Sequence, residues 1–118
     1  MKLINLTPHP ITILSDGGSI SIAPADKPVR CTVSTIRVGT INFEGVEIPL
    51  TSSKFGKVEG LPDPQPDTFL IVSRVVAEAL PEREDLLIPN ESVRDQEGRI
   101  IGVRSLSSLS KKFLEVRK

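Results

Sequence analysis

Few side chains in this sequence are equipped for chemistry, and they fall into three groups. His9 is the only histidine and sits in Thr7-Pro8-His9-Pro10, where two prolines stiffen the backbone on either side of it. An imidazole held this way is a candidate general acid or base, with Asp85 or Asp95 as its orienting partner. The competing reading is purely structural, a turn residue that ties down its neighbours through the backbone. Ser73-Arg74 forms the second group. It stands where an apolar run gives way to helix-forming residues, so that free N–H groups and a guanidinium face the end of a strand and can hold phosphate or carboxylate. The bland alternative is an ordinary N-cap beside an exposed arginine. The third group is Arg94 and Arg104, which share strand parity across a hairpin and can form a paired guanidinium clamp for a diphosphate or carboxylate. Arg99 lies between them, and Asp95 is placed to neutralise one of the three.

Other chemistries lack the residues they need. Cys31 is the single cysteine; it builds neither an internal disulfide nor a thiolate metal site, and a Cys31–His9 dyad has nothing in the sequence to bring it together. No acidic cluster has calcium-loop or two-metal spacing, so no metal and no cofactor are expected. Val72-Ser73-Arg74 lacks the Gly-x-Ser-x-Gly elbow of a serine hydrolase.

The elements that must position these groups are short. Ten prolines and eight glycines among 118 residues interrupt β-branched runs, which predicts a mainly β, α+β fold of short antiparallel strands and hairpins in a single small domain. Ile11–Leu14 and Ser19–Ile22 flank Asp16-Gly17-Gly18 as a first hairpin. Arg30–Val38 reads as a strand ended by Gly39, and Thr40–Phe43 with Val46–Ile48 as a second hairpin around Glu44-Gly45, with Pro49 marking an edge. Ser52–Gly60 and the proline-rich stretch Leu61–Asp67 read as connections. Thr68–Val72 is a strand buried on both faces, followed by a helix of about two turns capped by Ser73 and stopped by Pro81. Leu86–Ile88 is a short strand ended by Pro89, and Ser92–Asp95 with Arg99–Arg104 make a third hairpin. Residues 1–105 form the β-rich domain; 106–118 form a basic amphipathic tail or short helix, with Leu106, Leu109, Phe113 and Val116 at helical spacing.

Charge narrows the partners. Fifteen basic and fifteen acidic residues cancel, and four phenylalanines are the only aromatics, so general nucleic-acid binding is not expected. Residues 98–118 nevertheless hold six bases against one acid, a local excess able to touch phosphates. No run reaches the ~18 apolar residues of a membrane span, and the first residues break into prolines before a signal-peptide core can form, which points to the cytoplasm.

Asn5-Leu6-Thr7-Pro8-His9, Gly60-Leu61-Pro62, Ile71-Val72-Ser73, Arg83-Glu84-Asp85-Leu86 and Val93-Arg94-Asp95 through Gly98–Gly102 together resemble a group of small uncharacterised proteins of bacteria and their phages. The likeness spans almost the whole chain. It implies a setting of host–phage conflict, in which small phage proteins sequester nucleotide-derived immune signals, an analogy of size and setting. The reading that follows is non-enzymatic capture of a small anionic, nucleotide-derived ligand by His9, Ser73, Arg74, Arg94 and Arg104, in a homo-oligomer favoured by short edge strands. A small hydrolase or lyase acting on such a ligand, and a phage structural or adaptor protein, are the alternatives.

Overall fold

The computed structural model describes residues 1–110. Eight strands and one helix follow in chain order: β1 (Lys2–Asn5), β2 (Ile11–Ser15), β3 (Gly18–Ile22), β4 (Arg30–Phe43), β5 (Val46–Glu59), β6 (Thr68–Ile71), α1 (Arg74–Ala79), β7 (Leu86–Arg94) and β8 (Ile100–Ser107). The fold is mainly β, with one short helix.

Six strands form one sheet in the order β1-β6-β7-β8-β2-β3. The pairing is mixed and not simply antiparallel: β1 with β6, β6 with β7 and β2 with β8 run parallel. The β6–α1–β7 crossover is what lets two consecutive strands share a direction. The sheet then curls until its edges meet. Just past β3, Pro24 bridges to Asn5 at the end of β1, and the Ala25 amide donates to the Asn5 carbonyl at 2.8 Å. The result is a small barrel closed at this one bridge, β1 and β3 themselves not being hydrogen-bonded neighbours.

Side-chain alternation along β1 and β6 sorts residues between two cores. Leu3 and Ile71 point into the barrel, where they meet Ile11, Ile13, Ile22, Val103 and Leu106. Residues from five strands can pack together only because the sheet is closed. On the outer face Ile4, Leu6, Leu70, Val72, Leu86 and Ile88 pack against Val76 and Ala77 of α1 and against Val29, Cys31 and Val58. Ile71 and Val72, adjacent in sequence, are each 0% exposed, which places β6 between the two cores as its unbroken apolar run predicts.

The remaining strands, β4 and β5, form a separate two-stranded antiparallel ribbon of 14 residues each. Its base is held by Val29, Cys31 and Val58 in the outer core. The whole ribbon is about 45 Å long at ~3.4 Å per residue, and beyond its base it projects as an arm. The radius of gyration, 17.5 Å, exceeds the ~13 Å of a compact globule of this length for that reason. The turn at its tip, Glu44-Gly45, has φ of 52° and 84°, the left-handed pair that a two-residue hairpin needs.

Several strand boundaries differ from those read in the sequence. Gly39 does not end a strand, because a bulge between Arg37 and Gly39 absorbs the irregularity and β4 runs on to Phe43. Ser52–Glu59 is not a connection but the second half of β5, paired residue by residue with β4. Pro89 also does not stop its strand. The amides of Leu70 and Val72 donate to the carbonyls of Asp85 and Leu87, so odd-numbered residues of β7 face β6. The N–H that Pro89 lacks would lie where β6 has already ended, and β7 continues against β8 with Pro89 opposite Leu106. At the other end of the chain, β8 runs to Ser107, so Leu106 lies in a strand and lines the barrel while Leu109 packs on the outer core. The helix expected through Phe113 and Val116 falls outside the described residues.

Candidate functional site

The sequence-derived site residues are distributed over the body of the molecule. Ser73 caps α1 as expected, its Oγ accepting from the Val76 amide at 3.4 Å. The helix has only six residues, so few peptide dipoles align to attract an anion. Arg74 is exposed and pairs along the helix with Glu78 at 2.7 Å. Arg94 donates to the Gly98 carbonyl at 2.7 Å and so ties the β7–β8 turn. Asp95 organises the same turn, accepting from the Glu97 and Arg99 amides at 2.9 and 3.0 Å; Arg99 pairs with Asp95 at 3.4 Å and with Glu97. Arg104 is exposed on β8, beside Glu91 by strand register. Register also separates these groups. β6 ends at Ile71, level with Leu87, and Arg94 lies seven residues further on, roughly 23 Å along the strand.

His9 is exposed, and its contribution comes through its backbone. Asn5, 1% exposed at the barrel seam, donates from Nδ2 to the carbonyls of His9 (2.8 Å) and Ile22 (3.0 Å). Its Oδ1 accepts from the amide and hydroxyl of Thr7 at 2.9 and 2.7 Å. One amide thereby fastens β1, the Thr-Pro-His-Pro turn and the end of β3. The sequence signal for this was present, an asparagine two residues before a threonine-proline turn, but the target across the seam is not local.

Arg83 and Asp85 form the most enclosed ion pair described. The guanidinium donates twice to the carboxylate, both at 2.8 Å, and once more to the Pro62 carbonyl at 3.1 Å. That hydrogen-bonded guanidinium holds the Asp85 carboxyl below its ordinary range, and the carboxylate in turn raises the arginine. The pair clamps the proline-rich connection against the start of β7. It is not aligned with His9 as a catalytic partner by any contact described.

Three open hollows are described. The largest, about 390 Å³, lies among Lys2, Ile4, Gln65, Pro66 and Thr68; the others lie beside Gly102 and beside Glu84. None of the three is lined by His9, Ser73, Arg74, Arg94 or Arg104. Among the described residues no three His, Cys, Asp or Glu side chains gather as metal ligands would, and no helix is long and apolar enough to cross a membrane.

The feature that stands out is on the arm. From the tip inward, Phe43 pairs with Val46, Ile41 with Ile48, Gly39 with Leu50 and Ile36 with Ser52. Alternation puts Ile36, Ile41, Phe43, Val46, Ile48 and Leu50 on one face, each between 38% and 62% exposed. Thr40, Asn42, Glu47 and Thr51 occupy the other face. Scattered exposed apolar residues are ordinary, but six on one face of a ribbon make a contiguous surface of the kind that marks an interaction site. The sequence carried the clue in the alternation Ile41-x-Phe43 and Val46-x-Ile48-x-Leu50; what it did not reveal is that, among the described residues, these side chains stay 38–62% exposed.

No family model, curated protein or solved structure matches the chain.

Proposed function

We propose that the protein works by binding another protein surface and not by catalysis: a barrel body presents a long β-arm whose apolar face is the docking surface. The observation that supports this reading is the uncovered row of six apolar side chains on one face of the arm. A two-stranded ribbon is marginal in water unless its apolar face packs on something, and among the described residues only the base of this one joins a core cluster. The titratable groups favour the same reading. Arg74, Arg94 and Arg99 are engaged in local pairs that shape a helix or a turn, and His9 serves through its carbonyl.

The test compares the intact protein with an arm-face variant, Ile41→Thr, Phe43→Ser and Ile48→Thr together. Each is fluorescently labelled and followed by sedimentation velocity in extract of the cells that naturally make it. The intact protein is expected in a complex faster than its 12.8 kDa monomer, and the variant at the monomer position. Equal sedimentation of the two would end this reading.

A further inference from the structure

We infer that the occupant of the arm's apolar face is a second copy of this chain, the two ribbons packing face to face about a two-fold axis. This rests on reading the arm as a docking surface and adds what docks there.

Area is the first argument. Six side chains exposed at 38–62% offer on the order of 550 Å² of apolar surface per chain, so a pair removes about 1,100 Å² before any rim is counted, the size at which specific interfaces begin. A two-fold arrangement uses the same patch on both copies, so the patch must complement itself. This one does. Its working residues are uncharged, with Ser52 at the inner end and Ser34 opposite Lys54 beyond it, and nothing on it would repel its own image. Selection of a different partner by charge would need charged residues within the patch, and they sit on the opposite face or past its end. The whole chain carries fifteen charges of each sign, so no net repulsion opposes two copies meeting.

Geometry favours faces over edges. Edge-to-edge pairing would extend the ribbon into a wider sheet but leave the six side chains in water. It is also blocked on one side. Counting from the two-residue turn, Pro49 opposite Thr40 occupies a non-hydrogen-bonded pair, so its missing amide falls on the outer edge of β5, where an added strand would need a donor. Face-to-face packing instead makes a four-stranded sandwich, which supplies the partner layer a lone ribbon lacks.

The purified full chain is examined by sedimentation equilibrium beside two double variants. Ile41→Lys with Ile48→Lys charges the apolar face; Thr40→Lys with Thr51→Lys adds the same charge to the opposite face. The intact chain and the polar-face variant are expected to run as dimers, and the apolar-face variant as a monomer with association weakened by at least about a hundredfold. Matching far-UV circular dichroism melts of the body establish that the variants fold; Phe43→Ser with Leu50→Ser takes the place of the lysine pair if it does not. An intact chain that stays monomeric at about 100 μM, well above the Kd of a specific interface, overturns the inference, and so do two lysine variants that dissociate alike. Failure here leaves the docking reading standing if the arm-face variant still loses a complex in extract; if it loses none, both fall.

Discussion

The side-chain amide of Asn5 makes four hydrogen bonds at a site almost closed to water, so its loss takes a partner from the Ile22 carbonyl and from the Thr7 amide, while the Thr7 hydroxyl and the His9 carbonyl keep their own bond at 3.0 Å. Replacing it with alanine is expected to destabilise the protein by about 2–4 kcal/mol in urea unfolding, because buried polar groups left without partners cost more than the bonds they made. Asp85→Asn should cost about 1–2 kcal/mol at neutral pH, since the pair with Arg83 is only partly exposed and is bidentate. The pH dependence has a definite sign. The folded-state pKa of Asp85 is lowered by Arg83, so its contribution is full above the ordinary carboxylate value of about 4 and is lost as pH falls through the lowered one. The stability gap between the intact protein and Asp85→Asn should therefore be flat above about pH 5 and close in acid. At this scale the sequence was informative about local duties and not about convergence. The cap at Ser73 and the turn role of the His9 segment follow from neighbours in the chain; whether Arg74, Arg94 and Arg104 meet depends on strand register, which no residue spacing states.

Elements divide along the same line. Each of the three hairpins, at Asp16-Gly17, Glu44-Gly45 and Asp95–Arg99, was legible because a turn's chemistry lies within a few residues. The buried strand β6 and its capped helix were legible for the same reason. The extent of β4 and β5 was not, since Gly39 and the polar stretch from Ser52 resemble breakers until their cross-strand partners are known. The parallel contact of β2 with β8 was equally hidden. It depends on Gly102, where a Cβ would meet the Thr12 carbonyl oxygen at 2.8 Å and the Leu14 side chain at 3.1 Å. Backbone on one side cannot yield cheaply, so Gly102→Ala should destabilise the barrel by about 1–3 kcal/mol in thermal or urea melts. Ser73→Ala, at a cap bond of 3.4 Å, should cost about 0.5–1 kcal/mol.

On the scale of the whole molecule, body and arm are expected to part company energetically. The barrel has its own interior and a second core on its outside, whereas residues 36–50 draw no support from either. In the variant Ile41→Lys with Ile48→Lys, amides of the outer arm should therefore exchange with deuterium far faster than those of β6, while in the intact chain, paired as proposed, they should be slowed; indistinguishable exchange in the two proteins would contradict this.

The seam between Asn5 and Pro24 carries a consequence for biosynthesis. β1 must find β6 more than sixty positions later, and β2 must find β8 at the far end of the described chain, contacts of the long-range kind that slow folding. A ribosome delivers the arm complete, with its greasy side bare, before either of those late strands has emerged. Nascent chains translated side by side on one message thus have a period in which their arms can meet ahead of any finished body, and the order of synthesis favours pairing as an early event.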